Sequence, residues 1–257
     1  MRTVTLGNTN ITVNKNGFGA LPIQRISTED AVKLLRKAYD NGINFYDSAR
    51  AYTDSEVKIG QAFEGMRDKI FLASKTMAED AEGFWEDLET TLTNLKTTYL
   101  DIYQFHNPAV CPKPGQGNGL YEAMQEAKRQ GKIRFIGITN HRIAVAEEAI
   151  ESGLYDTLQF PFSYLSSERE LALAEKCKEA GMGLIAMKAL SGGLITCVPA
   201  IYAFMAQYEN VLPIWGIQRE RELDEFLECQ ENEPELTEEM KAVIEKDQKE
   251  LMGEFCP

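Results

Sequence analysis

Apolar and polar positions follow one repeating cycle along most of this chain. A short apolar run ends abruptly at a polar residue, a loop follows, and then apolar residues recur at helical spacing. The first helix shows the spacing most plainly, with Ala31, Leu34, Leu35 and Ala38 at i, i+3, i+4 and i+7. Ser27-Thr28-Glu29-Asp30 supplies a cap and acids for its first turn, and Asn41-Gly42 a stop. The cycle predicts strands over 17–21, 43–46, 70–74, 101–105, 133–139, 157–160, 183–187 and 211–215. Helices are expected between them near 54–64, 84–96, 120–130, 145–151, 168–180, 199–208 and 220–229, with an acid-rich helical tail over 236–251. Residues 3–13 alternate around Gly7-Asn8 and read as a hairpin.

Eight strand–helix units in succession predict an α/β fold, a TIM (β/α)8 barrel with an N-terminal β-hairpin. The strands are continuous apolar runs, as parallel strands buried on both faces should be. No linker divides the chain, so one barrel domain is expected over 1–257. No Gly-x-Gly-x-x-Gly follows a strand, which argues against a Rossmann fold.

Composition narrows the partners. The chain has 257 residues, 27 basic and 40 acidic, with a net charge of −13. That balance disfavours a nucleic-acid partner. No apolar run is long enough to span a bilayer, and residues 1–5 (MRTVT) carry no apolar h-region, so a secretory signal is not expected. The five cysteines, Cys111, Cys177, Cys197, Cys229 and Cys256, are scattered and form no Cys-x-x-Cys pair. A reducing, cytoplasmic setting is the expectation. The oligomeric state is not legible.

Candidate chemistry gathers where strands end. Asp47 and Tyr52 follow the second strand, Lys75 the third and His106 the fourth. In a parallel barrel those ends share one rim, the place where active sites are built. Singly, each residue is ordinary: an acid can cap a helix, a lysine is usually solvated, and a lone histidine is more often structural. Together they form a proton-donating set for a carbonyl. Tyr52 would be the acid, with Lys75 lowering the phenol from its usual value of about 10. Asp47 would hold Lys75, and His106 would orient the carbonyl oxygen. A metal-dependent hydrolase is disfavoured, because His106 and His141 are the only histidines and no metal-binding pair occurs.

The segments 45–52 (FYDSARAY), 73–75 (ASK), 101–106 (DIYQFH) and 131–140 (GKIRFIGITN) resemble the signature segments of the aldo-keto reductase superfamily. The likeness runs in order over about residues 1–230. It implies NADP(H) bound to a TIM barrel, with NAD(H) as the other candidate, a small carbonyl substrate, and Asp47, Tyr52, Lys75 and His106 as the tetrad.

It also places Thr139, Asn140 and Gln159 at the nicotinamide carboxamide, and Met187 against the ring, with Lys188 beside it. Ser191, Gly192 and Gly193 fall at the pyrophosphate. Gly216, Gln218 and Arg219 fall at the phosphate loop after strand eight, with Arg219 toward the 2′-phosphate. Two positions depart from the pattern. Glu222 stands where many relatives carry Arg, and would repel a 2′-phosphate if it pointed inward. Phe226 replaces an Asn that commonly meets adenine. Substrate specificity is expected from loop 107–119 and from Leu21, Ile23 and Leu190.

The end of the chain, 251–257 (LMGEFCP), resembles the join to a cysteine-rich ferredoxin-type module found in a subgroup of that superfamily. Residues 236–257 would then be a helix and the stub of an iron–sulfur module, which Cys256 alone cannot hold. The competing functional reading is a nucleotide-binding redox sensor or regulatory subunit without turnover.

Overall fold

The computed structural model describes residues 2–251. Two short strands, β1 (Thr3–Thr5) and β2 (Thr12–Asn14), pair antiparallel with Val4 opposite Val13. Eight strands follow: β3 (Gly17–Gly19), β4 (Phe45–Asp47), β5 (Phe71–Thr76), β6 (Leu100–His106), β7 (Ile133–Thr139), β8 (Thr157–Pro161), β9 (Gly183–Met187) and β10 (Val211–Gly216). Each pairs in parallel with its neighbour, and β10 closes onto β3. This is the TIM (β/α)8 barrel with the hairpin read from the sequence.

The helices are α1 (Thr28–Asp40), α2 (Ser55–Ala62), α3 (Ala81–Asn94), α4 (Leu120–Arg129), α5 (Ile143–Ser152), α6 (Glu168–Leu171), α7 (Leu173–Glu179), α8 (Val198–Ala206), α9 (Glu220–Glu231) and α10 (Glu238–Leu251). The Ser27 hydroxyl caps α1 by accepting the Asp30 N–H at 3.1 Å. The helix expected over 168–180 is broken at Ala172. The first piece buries nothing, while Leu173, Ala174 and Cys177 of the second pack inward. The hairpin loop is also wider than a two-residue turn. It makes a 3-10 turn, Gly7–Thr9, and Asn10 adopts φ 57°. The wider loop lets Leu6 and Ile11 be fully buried and Asn8 donate its N–H to the Gly181 carbonyl at 2.8 Å.

Period-two alternation sorts the barrel interior into levels. One apolar cluster contains Phe45, Ala73, Ile102, Ile185, Met187, Leu212 and Ile214, and the hairpin residues Val4, Leu6, Ile11 and Val13 join it. The hairpin therefore plugs the N-terminal end of the barrel. Two residues further along the same strands the interior turns polar: Phe45 gives way to Asp47, Ala73 to Lys75, and Ile102 to Gln104 and then His106. A separate apolar layer lies between the sheet and the surrounding helices.

This layering corrects the expected strand ends. Three polar residues, Asp47, Lys75 and His106, sit in the strands rather than beyond them, opposite Ala73, Gln104 and Thr139 respectively. The parallel ladder is made by the backbone and runs on through these residues, so a polar side chain does not by itself end a strand. No helix among the described residues is long and apolar enough to cross a membrane. Cys256 and the proposed join lie outside the described residues.

Candidate active site

Lys75 is fully buried at the polar level. Its ammonium donates to Asp47 Oδ1 and to the Ser48 carbonyl, each at 2.6 Å. The chain leaving β4 is stitched to β5 as it carries Tyr52 into place. Ser48 N–H donates to Ala73 O at 2.9 Å and Arg50 N–H to Lys75 O at 3.0 Å. The half-buried Tyr52 ring then sits with its centroid 5.1 Å from Lys75 Nζ. His106 stands edge-on to that ring, with centroids 5.8 Å apart and planes at 83°. The four residues read from the sequence are thus brought together at the C-terminal end of the barrel.

Burial governs the charges. It lifts the Asp47 carboxyl above its usual range, against the charge and hydrogen bond of Lys75 and the hydrogen bonds of Gln159 and Gln104. Burial alone would lower the Lys75 ammonium, but Asp47 and Tyr52 beside it carry it above the ordinary lysine value. Burial pushes the His106 imidazole down to about 3, helped by the Lys75 charge, so it is neutral at physiological pH. Tyr52 departs from expectation. Lys75 pulls the phenol down by charge and hydrogen bond, yet burial outweighs it and the net direction is upward.

The residues assigned to the nucleotide divide into two groups. Thr139 ends β7 and Asn140 follows it, Gln159 lies within β8 and Met187 ends β9, and all four are buried. Gln159 donates to Asp47 Oδ1 at 3.3 Å and accepts from Gln104 at 2.9 Å. The Asn140 amide donates to Pro108 O and accepts from Arg142 N–H, both at 2.9 Å. The Thr139 hydroxyl accepts the Asn107 N–H at 3.1 Å.

Lys188, Ser191, Gly192 and Gly193 form the loop after β9, and all four have positive φ, between 48° and 99°. Such conformations cost energy at non-glycine residues and gather where function demands them. Lys188 is exposed beside His141, at 3.4 Å, and Ser191 is buried against Ser163 Oγ at 3.1 Å.

Gly216, Gln218 and Arg219 lie at the end of β10 and before α9. The Arg219 side chain is 57% exposed. Glu222 does not simply point at a ligand. It folds back on its own helix start, where Oε2 accepts the N–H groups of Gln218 and Arg219 at 3.0 and 3.1 Å. Phe226 is buried, stacked on Trp215 with ring centroids 4.4 Å apart, and so belongs to the core. Ile23 is likewise fully buried rather than on the rim.

This donor set suits a nicotinamide dinucleotide. Buried amides can pair with a carboxamide, and a buried, unpartnered His106 Nδ1 and Gln104 Oε1 remain in the same layer. Gln104 is a residue that the strand-end reading missed. Its amide reaches Asp47 Oδ2 at 3.3 Å as well as Gln159. The available signal was its position: it lies between Ile102 and His106 on the inward face of β6, where an apolar residue would be ordinary. Gly137 makes room for it, since a Cβ there would lie 2.7 Å from Gln104 Cγ.

A closed barrel with a lysine–carboxylate pair and a tyrosine at its open end defines the class of molecule. The sequence model of the Aldo/keto reductase family matches residues 15–201, and the chain belongs to that family. An uncharacterized oxidoreductase of Bacillus subtilis, YqkF, is 27% identical over 226 residues, covering 82% of this chain and 72% of its own. The NADH-specific methylglyoxal reductase of Escherichia coli is 26% identical over 226 residues, covering 76% of this chain and 67% of its own. Across eight curated relatives, these two included, the chain spans 60% to 72% of their length. An aldo-keto reductase from Klebsiella pneumoniae, solved in complex with NADPH, shares the fold with a TM-score of 0.79 at 22% identity, covering 96% of this chain and 95% of that one.

Proposed function

We propose that this protein reduces an aldehyde or ketone to an alcohol, with Tyr52 as the general acid and NADP(H) or NAD(H) as the redox partner. A bound nicotinamide dinucleotide supplies the hydride. Thr139, Asn140 and Gln159 would hold its carboxamide, Met187 would face its nicotinamide, and the 188–193 loop with Gly216, Gln218 and Arg219 would hold its phosphates. Tyr52 donates its proton to the carbonyl oxygen, and the resulting phenolate is stabilised by the Lys75 ammonium. Asp47 keeps that ammonium charged and in place. The neutral His106 offers a ring N–H to the same oxygen and sets its direction. Solvent returns the proton to Tyr52.

The observation that carries this reading is the buried Lys75–Asp47 pair set beside a phenol at the open end of the barrel. An isolated surface lysine would not alter a neighbouring phenol to the same degree. The substrate is taken to be apolar beyond its carbonyl. Among the described residues, the exposed large hydrophobic side chains are Leu21, Met77, Val110 and Leu194, and all four lie on loops that follow barrel strands. The test is nucleotide oxidation with a panel of aldehydes and ketones. Turnover favouring apolar aldehydes supports the proposal. Stoichiometric NADPH binding without turnover on any member rejects it.

A further inference from the structure

Glu56, the second residue of α2, is 1% exposed and touches none of the groups assigned to the reaction. Its carboxylate is nonetheless surrounded by donors. Oε2 accepts from the Arg50 guanidinium and from Asn94 Nδ2, the latter at 3.1 Å. Oε1 accepts from Ser74 Oγ at 2.7 Å and Thr91 Oγ1 at 2.8 Å. These donors come from the loop that carries Tyr52, from the residue preceding Lys75, and from α3. Gly60, one turn further along α2, allows the approach: a Cβ there would lie 2.2 Å from the Asn94 carbonyl oxygen.

A buried ion pair is a poor way to add stability, because apolar residues of like volume serve as well or better. What it fixes is geometry. Arg50 is held at both ends, its N–H by the Lys75 carbonyl at 3.0 Å and its guanidinium by Glu56, and it lies two residues before Tyr52. We infer that Glu56 is a positioning residue for proton transfer, acting through Arg50 and Ser74 to fix the Tyr52 loop against the strand that carries Lys75. The inference rests on the reading of Tyr52 as the acid. Its partners lie on β5, α3 and the loop after β4, whereas the residues assigned to the nucleotide lie in or just after β7 to β10. Its loss should therefore act on kcat and spare nucleotide binding.

The experiment uses Glu56→Gln and Arg50→Met in the full chain, with NADPH and 4-nitrobenzaldehyde as probes. Arg50 is partly exposed, so the second variant keeps the test open if the first does not fold. The expected result is a kcat at least about tenfold lower with KM for NADPH within about threefold, and a larger solvent deuterium isotope effect on kcat. Glu56→Gln added to Tyr52→Phe should lower the residual rate no further, as for residues acting through one another. Wild-type kcat in a folded Arg50→Met or Glu56→Gln protein, or an equal added loss on the Tyr52→Phe background, overturns the inference while leaving the assignment of Tyr52 intact. Full turnover by Tyr52→Phe alone overturns that assignment, and the inference with it.

Discussion

The Lys75 ammonium lies 2.6 Å from Asp47 Oδ1 across the seam between β5 and β4, with both side chains buried. Removing one partner leaves the other charged in a low-dielectric layer. Lys75→Met should cost about 3–5 kcal/mol of stability, as expected for breaking a buried pair. Tyr52→Phe, which strands no charge, should cost far less. Urea unfolding of the two variants checks the order, and equal midpoints would contradict the assigned burial of the pair.

The pH dependence follows from the same layer. A general acid works while protonated, and burial holds the Tyr52 phenol above its ordinary value. His106, pushed down to about 3, does not change charge near neutrality. The kcat for reduction should thus be flat from about pH 5 to about pH 9. A pH series under saturating nucleotide and carbonyl checks this, and a limb near the usual histidine value of about 6.5 would count against a neutral His106.

His106 also links to stability. Its folded pKa lies below its unfolded one, so its contribution is intact above about pH 6.5 and is lost as pH falls toward about 3, where the unfolded chain binds the proton more readily. His106→Asn should lose less stability than the parent over that window. Parallel denaturant titrations at several pH values give the difference directly.

At the adenosine end, the Glu222 carboxylate occupies the N–H groups of Gln218 and Arg219 at the start of α9, a position where an anion could otherwise bind. Glu222→Ala should lower KM for NADPH by about tenfold relative to NADH, the scale of one charge-assisted contact. Arg219→Ala should shift the ratio the other way. Kinetics with each nucleotide decide it.

The arrangement of barrel strands was legible because parallel strands buried on both faces leave continuous apolar runs, such as 133–139, whose bounds the structure reproduces. Strand ends carrying polar side chains were harder. Lys75 and His106 looked like loop residues, since a polar residue after an apolar run ordinarily marks an exit to solvent, and only the tertiary layer makes them interior. The gathering of Asp47, Tyr52, Lys75 and His106 followed from barrel topology and the family resemblance. Gln104 and Glu56 did not, because their meaning lies in partners on other strands and helices. The direction of the Tyr52 shift was misread for a related reason: the charge of Lys75 is visible in the sequence, whereas the burial that outweighs it is not.

The most direct measurement is the turnover of Tyr52→Phe with a carbonyl substrate, taken together with its affinity for NADPH. Loss of kcat by at least about a hundredfold, with nucleotide affinity unchanged, is the result expected of a missing general acid. Turnover equal to the parent protein would contradict the account.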